Sequence, residues 1–440
     1  MAGCNNVKTY AGAQVFYWVG QNGMGYVLDV FMADTSSLKH RALVFAFSTT
    51  PYIGTTFAGP ALAMSFYNGS TWRWGHGVWC IITPVLALPF IMVVWRNQRK
   101  SKSLGLINLR ADSGRNWKES INYWFWDFDT IGITLVCAGF VLILLPLSLA
   151  SYQKDQWKSG NILAMLIVGF LCLVAFGVHE RYFAKKSFIP FHLLLDRTIA
   201  GACGLSCILF VSFYCWDAYY SSYLQVVHNQ NIRNAGYISN IYSIGSCFWS
   251  VVVAILIRLT GRFKWLALFF GLPLYVLSTG LMIHFRQPHS DIGYVIMCQI
   301  LISFAGGTLV ICEDMAIMAA SPHQNVAATL AFLGLFSYVG GGVGSAISGA
   351  IWTNTLPKRL AETLPDHLKP MAFQIYSDIT MQLGYPWGSP EREAIIAAYS
   401  YTQRLMVIAA TSATAFGIIF TIMWRDLKVT DVKSTKGRVI

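Results

Sequence analysis

Four aromatic rings and one carboxylate recur at helical spacing in the stretch Phe213-Tyr-Cys-Trp-Asp-Ala-Tyr-Tyr-Ser-Ser-Tyr223. On a continuous helix, Phe213, Trp216, Asp217, Tyr220 and Tyr223 share one face. The stretch closes a long apolar run that begins near Thr198. A charge inside such a run costs at least ~2.5–3.5 kcal/mol on insertion scales, so Asp217 must face protein, water or cargo rather than lipid. Two readings stay open. In one, Trp216, Tyr220 and Tyr223 face a bulky, partly apolar solute and Asp217 meets a proton or a positive group. In the other, the rings form an aromatic belt at a membrane surface and Asp217 emerges into water.

A second acidic site is Glu313-Asp314, near one end of the apolar run that starts at Val295. Burial there would raise the carboxyl pKa of Glu313 and suit it to proton coupling; a hydrated interfacial position is the other reading. Farther on, Tyr376, Tyr385, Trp387, Tyr399 and Tyr401 lie among acids and amides. Tyr and Trp on a mobile loop offer large contact area at low rotamer cost.

Other chemistries fail on spacing. His179-Glu180 opens like a zincin motif, but no histidine follows where one is needed, and no other His, Cys and Asp cluster resembles a metal cage. No Gly-x4-Gly-Lys-Ser/Thr loop occurs, which disfavours an ATP-driven pump. No nucleophile and base meet the spacing of an enzyme site. No cofactor and no protein-held metal are expected. The ten cysteines include no CxxC pair, and most sit in apolar runs as small hydrophobes. Asn68-Gly-Ser70 is a glycosylation triplet.

The elements that must position these residues are membrane helices. Hydrophobic residues make up 55% of the 440 and charged ones only 12%. Soluble domains carry roughly 25% charged residues, so the chain reads as an all-α, polytopic membrane protein. The formal charge of +12 falls in short loops between apolar runs, which fits membrane topology rather than nucleic acid. About eleven spans of ~20 apolar residues are expected: 9–32, 42–66, 76–95, 129–150, 161–179, 199–222, 236–257, 264–285, 292–319, 327–353 and 404–424. Loops near 33–41, 96–128, 180–198 and 258–263, with the tail from Arg425, hold roughly 21 of the 32 Lys and Arg, which places them in the cytoplasm. Met1 then lies outside, and so does the end of the Phe213–Tyr223 stretch. No cleavable signal peptide precedes the first span. In Gly340-Gly-Gly-Val-Gly344 the small residues let helix backbones approach closely.

Two stretches resemble the major facilitator superfamily. Ala254-Ile-Leu-Ile-Arg-Leu-Thr-Gly-Arg-Phe-Lys264 is similar to a degenerate copy of its signature cytoplasmic loop. Gly261, Arg262 and Lys264 are kept, and Arg258 replaces the usual Asp. Phe57-Ala-Gly-Pro60 is similar to the Gly-Pro motif of the fifth helix. More closely, the chain resembles the fungal siderophore–iron transporters of the 14-helix type. Gln14-Val-Phe-Tyr-Trp-Val19, Tyr26-Val-Leu-Asp-Val30, Trp72-Arg-Trp-Gly75, Phe285-Arg-Gln-Pro288, Ser348-Gly-Ala-Ile-Trp-Thr-Asn354 and Met423-Trp-Arg-Asp426 carry the likeness.

The resemblance implies proton-coupled import of ferric siderophores, chiefly hydroxamates, at the plasma membrane or from endosomal vesicles. It implies helices 4–6 of the N-terminal bundle over 1–95, a basic linker over 96–128, two central helices over 129–198 and a C-terminal bundle over 199–353. An external loop over 354–403, a last span over 404–424 and a basic tail over 425–440 follow, with the first three helices absent. It extends cargo contact to Tyr376, Tyr399 and Tyr401, and makes Arg258, Gly261, Arg262 and Lys264 a conformational switch. The expected partners are a ferric siderophore with its iron inside the chelator, protons and the lipid bilayer. The alternatives are a multidrug:proton antiporter of the related 14-helix branch, or a truncated partner subunit that does not transport.

Overall fold

The computed structural model describes residues 1–105, 116–150, 153, 156–183, 195–322 and 325–429, with backbone alone at Tyr67, Ser148 and Gln156. The middle of the expected basic linker and most of the expected tail lie outside these residues. The described chain is helical. The first half runs α1 Val7–Thr35, α2 Leu38–Thr49, α3 Pro51–Gly69, α4 Trp72–Ser103, α5 Trp117–Asp127, α6 Thr130–Leu149 and α7 Gly160–Tyr182. The second half runs α8 Arg197–Asp217, α9 Tyr220–Val227, α10 Ile232–Ser239, α11 Ile241–Thr260, α12 Lys264–Phe285, α13 Ile292–Ala320 and α14 Val326–Thr363. After two short helices, α15 Ala372–Ser377 and α16 Ile379–Gly384, come α17 Pro390–Ala415 and α18 Gly417–Ile422.

Among the described residues, nine helical stretches are long and apolar enough to cross a membrane. The expected spans 9–32 and 42–66 are helical but fall outside that set. Gln14, Gln21, Asn22 and four glycines dilute the first. The second divides at Pro51, which has no N–H to continue the ladder. The last span begins at Pro390 rather than 404. Ser389 caps it by accepting the Arg392 N–H at 3.2 Å, and proline suits the first helical position.

The core lies in the second half. Residues of α8, α11, α12, α13, α14 and α17 form one buried apolar cluster, joined by Phe45 and Ala46 of α2. In the first half α6 and α7 pack closely on each other at Gly139 and Gly169, whereas α4 buries no residue among those described. Helix α1 touches α14 through Tyr338 Oη, which donates to Asn22 Oδ1 at 2.9 Å. Tyr26 Oη also donates to the Ala327 carbonyl at 2.9 Å.

The closest helix crossing is α8 on α14, where the glycines do what their spacing suggests. A Cβ on Gly340 would stand 2.2 Å from the Cys207 carbonyl oxygen, and one on Gly344 would stand 2.6 Å from that of Val211. Gly280 of α12 has open space at the same position. In a helix interior Gly→Ala normally stabilises by about 1 kcal/mol. Gly340→Ala and Gly344→Ala should instead lower the thermal midpoint of the detergent-purified protein, while Gly280→Ala raises it or leaves it unchanged. A gain at Gly340 would contradict this packing.

Candidate functional site

The aromatic stretch does not form one helix. Helix α8 stops at Asp217, Ala218 turns out with ψ 132°, and Tyr219 is left-handed at φ 58° before α9 begins. The face expected to run unbroken from Phe213 to Tyr223 is therefore split after Asp217. A break within an apolar bundle frees backbone carbonyls that water cannot reach, so side chains must satisfy them. Two do. Arg286, just past the end of α12, donates from Nη1 to the Trp216 carbonyl at 2.6 Å. Gln403 of α17 donates to the Ala218 carbonyl at 3.2 Å, and its Oε1 accepts from the same Arg286 Nη1 at 3.2 Å.

The rings gather around this brace. Trp216, Tyr220 and Tyr223 are buried. The Arg286 guanidinium lies 4.2 Å from the Tyr220 ring centre and 5.7 Å from that of Trp216. Trp216 Nε1–H points to Tyr275 Oη at 3.4 Å. Tyr223 Oη pairs with His228 Nε2 at 3.3 Å. Tyr219, exposed by the turn, stacks flat on Trp352 at 4.0 Å, and Tyr399 meets Trp352 edge-on at 5.0 Å. Asp217 is half-buried. It feels the charge of Arg286, but no ion pair joins the two.

The segment expected as an open loop over 354–403 is helical at both ends, because α14 runs to Thr363 and α17 starts at Pro390. Tyr399 and Tyr401 thus sit on a helix rather than a loop. Tyr399 is buried and donates to Gln382 Oε1 at 2.8 Å. Tyr401 points outward under the Arg359 guanidinium at 3.8 Å. Tyr376 is half-buried on α15. Buried Arg392 ties this cap down: it donates to the Gln382 carbonyl from Nη1 and to the Val226 carbonyl from Nη2 at 2.8 Å. Asp378 caps α16; the Thr380 hydroxyl at 2.6 Å and N–H at 2.8 Å hold its carboxyl below the usual range.

Glu313 lies elsewhere. It sits far along α13, 2% exposed, and its Oε1 has no hydrogen-bond partner. Its neighbours are Ser206 of α8 and Asp314. Ser206 is eleven residues before Asp217, so those two positions stand about 16 Å apart along α8. The hydrated interfacial reading of Glu313 therefore fails, because its side chain is enclosed by the bundle. Asp314 is half-buried and faces Asp29 of α1.

Three of the four residues expected to form a switch meet the chain's other end. Gly261 is left-handed at φ 69°, and its N–H caps α11 on the Ile257 carbonyl at 2.8 Å. Arg262 Nη1 pairs with Asp426 Oδ2 at 2.8 Å. Lys264 Nζ donates to the carbonyls of Ile422, at 3.0 Å, and of Trp424. Arg258 is exposed and stands apart. Asn68 is exposed near the end of α3.

Residue spacing does not reveal Arg286, Gln299, Gln403 and Arg392. Gln299 alone carries a signal, as a lone polar residue inside an apolar run.

The family profile described as fungal trichothecene efflux pump (TRI12) matches residues 2–381. A protein of Ajellomyces capsulatus named MFS siderochrome iron transporter 1 is 55% identical over all of this chain and 75% of its own length. MFS siderochrome iron transporter D of Aspergillus fumigatus is 47% identical over 99% of this chain and 72% of its own. Siderophore iron transporter mirB of Emericella nidulans is 42% identical over 100% and 72%.

Hydrogen bonds from a charged donor contribute about 1.5–3 kcal/mol each. Arg392→Met should therefore destabilise the cap by about 3 kcal/mol or more. Limited proteolysis checks this: cleavage within 364–389 rises sharply in the variant, and an unchanged digest would contradict the brace.

Proposed function

The chain belongs to the siderochrome iron transporters of the major facilitator superfamily, and from that premise we propose that it imports ferric siderophores across the plasma membrane, driven by protons. The observation that carries this reading is the whole-chain likeness to carriers of that name. The geometry fits it. The iron of a ferric siderophore stays within its chelator, so the protein needs a surface for the chelator's outer atoms. Rings with a few hydrogen-bonding tips suit such a compact, bulky complex. Trp216, Tyr220 and Tyr223 supply that surface at a broken helix, and discontinuous helices are where secondary transporters place their sites. Transport rather than catalysis is the activity.

Protons enter through carboxylates. An ionised carboxylate enclosed by apolar helices is costly and a protonated one much less so. Glu313, buried with a free Oε1, is the first candidate. Asp217 at the break is the second. Cargo near the break and a proton near Ser206 would be coupled through α8, which carries both. Rocking of one helix bundle against the other then exposes each in turn. The Arg262–Asp426 pair and the Lys264 contacts hold one of the arrangements between which the bundles rock.

The second reading is efflux, favoured by the trichothecene-pump profile over residues 2–381. Direction of flux separates the two. In cells lacking their own uptake, labelled ferric trihydroxamate should accumulate faster with acid outside than at neutral pH. Glu313→Gln should remove that stimulation and reduce net uptake by roughly tenfold, while exchange of internal for external cargo continues. Asp217→Asn should lower uptake with the protein still in the membrane. Uptake indifferent to external pH would contradict proton coupling, and drug export without iron uptake would favour the second reading.

A further inference from the structure

Arg286 does more than brace the break. It is 1% exposed, and its Nη1 is committed to Trp216 and Gln403. Its Nε and Nη2 have no partner. These two N–H groups lie on one edge of the guanidinium, the fork that meets a carboxylate with two parallel hydrogen bonds. On α13, next to the Tyr220 that Arg286 covers, Gln299 is fully enclosed with both Oε1 and Nε2 unpartnered. Tyr220 Oη lies against Gln299 without closing a hydrogen bond to it.

Free donors dominate this cluster: two from Arg286, one amide from Gln299 and the Tyr220 hydroxyl. A buried cation with no carboxylate on it is among the costliest arrangements a bundle can hold. Asp217 acts on Arg286 only through space. What the cluster lacks is a planar anion with two acceptor oxygens.

A route leads to it. His228 bonds Tyr223, Tyr223 stacks on Tyr220 at 6.3 Å, and Arg286 covers Tyr220. Above, a cavity of about 310 Å³ is lined by His228, Gln230, Ser290, Asp291 and Trp387. A cargo arm entering that cavity reaches the fork once the two tyrosines part.

We propose that Arg286, with Gln299 and Tyr220, binds a free carboxylate carried by the cargo, so that the carrier selects ferric chelates bearing such a group over neutral ones. This rests on the importer reading and deepens it by naming the chemical class of the cargo.

The test is equilibrium binding to the purified full chain in lipid nanodiscs, using two labelled ferric trihydroxamates that differ in one arm. One arm ends in a carboxylate and the other in its methyl ester. The native protein should bind the carboxylate form roughly tenfold tighter or more. Arg286→Gln should erase that preference, bringing the two affinities to near equality whatever their common level. Gln299→Leu gives a second, milder loss of preference should the arginine variant misfold. Equal affinity of the native protein for both chelates overturns the proposal. So does an equal weakening of both by Arg286→Gln, which would leave the arginine as a brace alone. Stabilisation by acetate with no difference between chelates would assign the fork to a free carboxylate and overturn the cargo claim. Binding of neither chelate rejects the importer reading itself, and with it this inference.

Discussion

One hydrogen bond organises the polar interior of this bundle: Arg286 Nη1 to the Trp216 carbonyl. It exists because α8 breaks at Ala218–Tyr219, directly after the fully buried Trp216. A lost hydrogen bond in such a place costs several kcal/mol per group, so a break survives only where side chains replace the missing partners. Arg286 and Gln403 do so from two other helices, and the break becomes a junction of α8, α12 and α17. The left-handed turn then swings Tyr219 onto Trp352 and Tyr220 under the guanidinium. Rings that a straight helix would spread along one face are brought around a single cation.

The same economy of polar groups separates two tasks. The cap side holds the rings and Arg286. Farther along α8, Ser206 neighbours Glu313. Helix α8 spans both, packed backbone to backbone on α14 through Gly340 and Gly344. A shift of that crossing would be felt at the break and at the carboxylate together. A carrier needs this linkage if cargo and proton are to move in one cycle. At the far end, Arg262 and Lys264 fasten the α11–α12 turn to the last residue of α18 and to Asp426 beyond it.

Much of this was legible in sequence because hydrophobic runs of helical length leave few alternatives. Nine of the eleven expected spans, all among the described residues, and the glycine crossing follow from run length and small-residue spacing. The stretch Phe213–Tyr223 was legible as a site but not as a shape. Nothing in Trp-Asp-Ala-Tyr-Tyr breaks a helix by propensity, and the side chains that satisfy the break, Arg286 and Gln403, come from distant parts of the chain. Pattern reading cannot see such tertiary partners. Tyr399 and Tyr401 were misplaced for a related reason. The polar turns of Pro390–Tyr401 lower the local hydropathy, yet Ser389 and Pro390 start a helix there that Arg392 anchors. Arg286 was visible only as part of a family block, since one arginine at the end of an apolar run reads first as an interfacial residue.

The claim on which the rest depends is that cargo engages the break in α8. Hydrogen–deuterium exchange over peptides covering 213–228, with and without ferric trihydroxamate, tests it most directly. Cargo bound at the break should slow exchange at Ala218, Tyr219 and Tyr220, where no helix ladder protects the amides. Exchange there that is unchanged by saturating cargo, with protection appearing on other helices, would contradict it.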